Sequence, residues 1–198
     1  MIISLTGFMG CGKSSVGRRL SELLCCPFMD LDDVIVESAG RSIPEIFATE
    51  GEQAFRQMEL EALRRMVRKC QFRTSVSSPE DITFVLALGG GAVMTKECAE
   101  IVREETYCVY LRASIETLLE HLSEEADGRP MLQSKTALEE ADTSLRGAER
   151  RGNPLQERIA ELMTLRSETY EKTAHIIVDT DGKSIEAIAS EIVSRLNI

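Results

Sequence analysis

Residues 7–14, Gly7-Phe8-Met9-Gly10-Cys11-Gly12-Lys13-Ser14, constrain this chain more than any other stretch. They spell Gly, four residues, Gly-Lys-Ser, the pattern of a loop that wraps phosphate between a strand and a helix. Both flanks agree with that reading. Residues 2–6 form a short apolar run of the kind found in buried strands, and Val16, Leu20, Leu23 and Leu24 recur at helical spacing. A glycine loop feeding a helix N-terminus presents backbone N–H groups and a partial positive charge to an anion. Gly10, Cys11, Gly12, Lys13, Ser14 and Ser15 are therefore the candidate phosphate cradle. Lys13 would reach the β- and γ-phosphates, and the Ser14 hydroxyl would ligate Mg²⁺. A nucleoside triphosphate is the expected ligand.

Beyond the loop, strands and helices alternate. Residues 28–31 read as a second strand ending in acids, with Asp30 and Asp32 two apart and so on one face of an extended backbone. Ligands of parallel α/β sheets bind beyond the carboxyl ends of the strands, where two carboxylates suit Mg²⁺ and a hydroxyl that needs a base. Capping of the next helix by Asp32 or Asp33 is the plainer alternative. Ser42 caps a short helix, and a longer one runs from about residue 50 to 69 with Phe55, Met58, Leu60, Leu63, Met66 and Val67 as its apolar stripe. Arg56 and Glu59, three apart on it, read by themselves as a solvated surface pair.

Residues 71–81 are polar and read as a loop. Residues 82–88 form a near-continuous apolar strand, buried on both faces, that ends in Gly89-Gly90-Gly91. Three glycines there allow a ligand to approach the backbone closely. A helix over 95–103, a strand over 108–111 and a helix capped by Ser114 follow. Residues 124–153 lose apolar character and crowd charge, the composition of a mobile lid, with Arg129 placed to deliver positive charge to a transferring phosphoryl group. A helix from Pro154, a strand over 175–179 and a closing helix over 184–196 complete the chain.

The alternation predicts one domain over 1–198, a three-layer α/β/α fold on a five-stranded parallel sheet with the lid as an appendage. A net charge of −10 argues against nucleic-acid and anionic membrane surfaces, and no run approaches a membrane span. The six cysteines include no CxxC and no cysteine–histidine cluster, so structural zinc and a disulfide framework are not expected and a reducing cytoplasm fits. Cys11 reads as a small residue filling a loop position.

Taken together, residues 7–14, Asp30-Leu31-Asp32, Gly51-Glu52-Gln53-Ala54-Phe55-Arg56 with Glu59, Gly89–Gly91, Arg129-Pro130-Met131-Leu132 and Leu165-Arg166 resemble shikimate kinase. They occur in that family's order and cover the chain from end to end. The resemblance implies transfer of the γ-phosphoryl of MgATP to the 3-hydroxyl of shikimate, on the route to chorismate and aromatic amino acids, by a cytoplasmic monomer.

By the same resemblance Lys13 and Ser14 hold phosphate and Mg²⁺, and Asp30 joins the magnesium shell through water. Asp32 accepts from shikimate hydroxyls and is the candidate base. Arg56 and Arg166 grip the shikimate carboxylate, the backbone of Gly89, Gly90 and Gly91 lines the pocket, and Arg129 is the lid arginine that reaches the phosphates. Two departures stand out. Residues 131–153 are longer than the family's usual segment, and Glu120-His121 stands where the family often stacks an arginine on adenine. His121, or a residue near Asp181-Gly182-Lys183, is the expected replacement. A kinase of another hydroxylated acid, such as gluconate, and a non-catalytic nucleotide-binding regulator are the rival readings.

Overall fold

A computed structural model describes residues 1–68, 82–124 and 153–196. The elements run β1 (Ile2–Thr6), α1 (Lys13–Leu23), β2 (Phe28–Asp30), α2 (Leu31–Ala39), α3 (Ile43–Arg68), β3 (Phe84–Ala87), a 3₁₀ turn (Ala92–Met94), α4 (Lys96–Glu105), β4 (Tyr107–Arg112), α5 (Ile115–Glu124), α6 (Pro154–Thr173), β5 (Ile176–Asp179) and α7 (Ile185–Arg195). The five strands form one parallel sheet in the order β2-β3-β1-β4-β5.

Side-chain alternation along the strands divides the core into two layers. Ile2, Phe84, Leu86, Cys108 and Tyr110 pack toward α2, α3, α4 and the second half of α6. Ile3, Leu5, Val85, Val109, Leu111 and Val178 pack toward α1, α5 and α7. Both faces of the sheet are covered, which is why the strands read as apolar runs. Ser4, buried in β1, exchanges a 2.7 Å hydroxyl bond with Thr106, so a polar residue in the central strand is not left unpaired.

The sheet sets the place of the site. β1 lies at its centre, with β3 on one side and β4 on the other, so the carboxyl end of β1 is where the winding reverses. The loop of residues 7–12 opens from that point. Gly12 precedes α1 with φ 86°, and α1 begins at Lys13, two residues earlier than its apolar spacing suggested.

One sequence expectation changes here. β2 stops at Asp30, because the Asp30 side chain accepts from the Asp32 N–H at 3.1 Å and starts α2. Asp30 is thus the cap, not Asp32 or Asp33, and Asp32 stands in the first helical turn rather than on one face of a strand with Asp30. The two helices expected over 42–69 are both present within α3, divided by a kink at Gly51, whose φ 82° and ψ 174° only glycine adopts freely. The break re-aims the chain just before Glu52 and Arg56.

Candidate active site

The loop of residues 7–12 and the start of α1 hold Lys13 and Ser14 on the side where β2 ends. Lys13 Nζ donates to the carbonyls of Gly7 at 3.0 Å and Phe8 at 2.8 Å, so its ammonium lies folded across the loop. Ser14 Oγ donates to Asp30 Oδ2 at 2.8 Å. A hydroxyl and a carboxylate at a helix start are hard oxygen donors, and Mg²⁺ takes one or two such protein ligands while keeping waters and phosphate oxygens. Among the described residues no group of three His, Cys, Asp or Glu could hold a metal alone, so this pair fits a shared Mg²⁺ and not a protein cage. Cys11 is buried in the loop core, as expected of a small filling residue.

Beside the loop, Gly89–Gly91 follow β3 and collect the remaining candidates. A methyl carbon placed on Gly89 would stand 2.9 Å from Asp32 Oδ1 and 2.9 Å from Glu59 Oε1. One on Gly91 would meet the Arg56 guanidinium at 2.6 Å, and one on Gly90 would meet the Met9 amide nitrogen at 3.2 Å. The turn is therefore walled by Asp32 and Glu59, by Arg56, and by the phosphate loop itself. No Cβ fits among these neighbours without moving them.

Burial tunes the acids. Asp32 is held above the usual carboxylate range, first by desolvation and then by Asp30, with Lys13 pulling the other way. Glu59 is pushed up to about 7 by desolvation, against the attraction of Arg56. The Arg56–Glu59 pair, 2.5 Å apart, is not the solvated pair that the spacing suggested: Glu59 is 1% exposed and Arg56 18%. Arg56 also reaches Glu52 at 2.9 Å, one helical turn back.

Arg166 comes from α6. Its guanidinium lies 5.8 Å above the Phe8 ring, one helical turn before Tyr170. Among the described residues, the buried side-chain atoms with no partner are Arg166 Nη1, Asp32 Oδ1, Glu59 Oε1 and, at the end of β1, Thr6 Oγ1. Buried polar atoms are rarely left so, and three around one glycine turn point to a polar ligand. His121, on α5, meets the Gly10 carbonyl through Nδ1 at 2.8 Å, which puts it on the phosphate loop. Asp181 accepts from the Ser114 N–H at 2.9 Å and so joins the β5–α7 connection to the start of α5.

The structure thus brings Lys13, Ser14, Asp30, Asp32, Arg56, Gly89, Gly90, Gly91 and Arg166 around the carboxyl ends of β1, β2 and β3. Arg129 and the interior of the expected lid lie outside the described residues. Sequence reasoning missed Phe8, whose ring carries Arg166, and Tyr170. The available signal for Tyr170 was its place four residues after Arg166, on the same helix face.

The shikimate kinase family model matches residues 9–197. This chain belongs to the shikimate kinase family. It is 40% identical over 194 residues to the shikimate kinase of Thermus thermophilus, covering 98% of this chain and 89% of that one. With the shikimate kinase of Dictyoglomus turgidum it shares 35% over 196 residues, covering 98% and 96%. Among solved structures, that of the Acinetobacter baumannii shikimate kinase in complex with shikimate is similar with a TM-score of 0.78 at 28% identity, covering 99% of this chain and 92% of that one. The Aquifex aeolicus shikimate kinase follows the same fold with a TM-score of 0.71 at 28% identity, covering 100% and 96%. As a shikimate kinase the chain is an ATP-dependent phosphotransferase acting on an alcohol, which is the chemistry its phosphate loop prepares.

Proposed function

We propose that the groups around the Gly89–Gly91 turn carry the ATP γ-phosphoryl to the 3-hydroxyl of shikimate. The observation that carries this reading is the set of buried, unpartnered atoms at the turn: acceptor oxygens on Asp32 and Glu59 and a donor nitrogen on Arg166. A small acid with hydroxyls at one end and a carboxylate at the other satisfies both kinds. The A. baumannii kinase of similar fold holds shikimate, which has that pattern.

In this reading Arg56 and Arg166 fork the acceptor carboxylate, a planar anion that guanidinium geometry matches. Asp32 accepts from the reacting hydroxyl and takes its proton. Its raised pKa brings it nearer to neutral pH, where a general base works best. The glycine backbone lets the acceptor lie against the phosphate loop. Lys13 leaves the carbonyls of Gly7 and Phe8 for phosphate oxygens, and Arg129 adds charge from the lid over 124–153. Ser14 and Asp30 would hold Mg²⁺, which when bound neutralises phosphate charge. The working unit is one monomeric cytoplasmic domain over 1–198. Most of the catalysis is alignment and charge placement, because phosphoryl transfer asks little covalent chemistry of the protein.

The test is ADP release from MgATP with shikimate, with gluconate and with no acceptor, in the native chain and in Arg166→Ala. Release that needs shikimate and collapses in the variant is the expected result. Release with gluconate alone would overturn the acceptor, and ATP binding with no acceptor-dependent release would favour a regulatory role.

A further inference from the structure

We propose that Glu52 is a built-in occupant of the carboxylate-binding edge of Arg56, which the acceptor displaces when it binds. The proposal rests on Arg56 as a carboxylate-binding group and names what holds that group's place before the acceptor arrives.

A guanidinium carries five N–H donors and no acceptor, and it grips a carboxylate best through two parallel N–H groups on one edge. In this fold the edges of Arg56 are already taken. Nη1 donates to Glu59 Oε2 at 2.5 Å, and Glu59 is buried, so that bond belongs to the core. The end formed by Nη1 and Nη2 abuts Gly91, where a methyl carbon would stand 2.8 and 2.6 Å from the two nitrogens. Nη2 thus lies within about 4 Å of the Gly91 Cα itself, too close for a carboxylate oxygen to enter between them. Nε and Nη2 form the remaining edge. Both donate to one oxygen of Glu52, at 3.3 and 2.9 Å.

Glu52 holds that edge loosely. Its side chain is 60% exposed, on the helical turn that follows the kink at Gly51. A single oxygen serves both N–H groups, and the Nε contact is long. A ligand carboxylate supplies one oxygen to each, the paired geometry that Glu52 does not reach. Exposed ion pairs are weak, and the displaced side chain returns to water at little cost. The exchange therefore runs toward a planar anion with two oxygens. Until one arrives, Glu52 keeps the guanidinium paired on its open side.

Glu52→Gln keeps the size of the side chain and removes its charge. Loss of a competing internal contact strengthens acceptor binding, whereas loss of an orienting ion pair weakens it. The expected result is a KM for shikimate lowered about threefold, the scale of one partly exposed ion pair, with kcat/KM raised by that factor. Benzoate, which offers a carboxylate and no hydroxyl, is the probe for this edge, and its Ki as a competitor of shikimate should fall in parallel. Glu61→Gln removes an equal charge from the same helix, where Glu61 accepts from Gln57 at 2.8 Å, and should leave both constants at their native values. An unchanged or raised KM in Glu52→Gln would overturn the proposal. So would a lowered KM without a lowered Ki for benzoate, or an equal fall in Glu61→Gln, which would assign the effect to net charge. If Arg56→Ala leaves the KM for shikimate unchanged, the reading of Arg56 falls and the proposal falls with it. If Arg56→Ala raises KM while Glu52→Gln does not lower it, only the role of Glu52 is lost.

Discussion

Asp32 and Glu59, 27 residues apart in the chain, present Oδ1 and Oε1 to the same point, the open side of Gly89, each 2.9 Å from where a methyl carbon would stand. Both oxygens are buried without partners among the described residues. Two acids brought this close to one Cα can share a ligand that fits between them only if that position carries no side chain.

Gly89→Ala is therefore expected to push both carboxyl groups aside while leaving the phosphate loop intact. A displacement near 1 Å costs about a hundredfold in a reaction that depends on alignment. The kcat/KM for shikimate should fall by about that factor, with ATP binding retained when titrated directly. Full activity in Gly89→Ala would show that neither acid needs its present place.

Glu59 supplies a pH dependence with a definite sign. Its carboxyl, at 4.5 when unburied, is pushed up to about 7 in the fold. The folded state thus binds more protons than the unfolded one between those values. The associated stability is present below about pH 4.5 and is lost as pH rises through 7, by roughly 3 kcal/mol. Glu59→Gln removes this titration but keeps a hydrogen-bonding group beside Arg56. Melting temperatures of the two proteins at pH 5.5 and 8.5 should show the native chain losing ground to the variant at the higher pH. Parallel curves would mean that Glu59 stays ionised throughout.

The parts of this site that were legible in sequence are those encoded within a few residues. The phosphate loop, the triple glycine after an apolar strand and the five-strand order of events depend on local spacing and turn chemistry. Asp32 was misplaced because the Asp30 side chain competes for the Asp32 N–H and ends the strand one step early. The burial of Glu59 was invisible, since an i,i+3 pair shows which residues meet but not which face turns inward. Phe8 and Tyr170 look like any core aromatic until the fold brings them to Arg166 from sequence distances of more than 150 and of four residues. Composition alone carried the reading of residues 124–153, whose interior lies outside the described residues.

His121 meets the Gly10 carbonyl at 2.8 Å and ties α5 to the phosphate loop. His121→Ala removes that tie at an exposed position, where one hydrogen bond is worth about 1 kcal/mol. The KM for ATP should rise about fivefold, and the KM for shikimate should not change. Unchanged nucleotide kinetics would reduce His121 to a surface residue.

The end of α1 holds a strain unrelated to the site. Cys25 has φ 50°, the left-handed region, in a helix termination where its N–H donates to the Glu22 carbonyl at 3.2 Å and the Cys26 N–H to that of Ser21 at 3.0 Å. That pattern favours glycine at the Cys25 position, because any Cβ crowds the backbone there by about 1–2 kcal/mol. Cys25→Gly relieves the crowding and gives back part of the gain through the freer unfolded chain. A net stabilisation of about 0.5–1 kcal/mol is expected, which for a chain of this size raises Tm by roughly 1–4 °C. Cys25→Ala keeps the Cβ and should gain nothing, which separates relief of strain from loss of the thiol. Kinetic constants should be unaffected, since the turn lies at the far end of α1 from Lys13. A Tm that rises equally in both variants would assign the effect to the sulfur instead of the backbone.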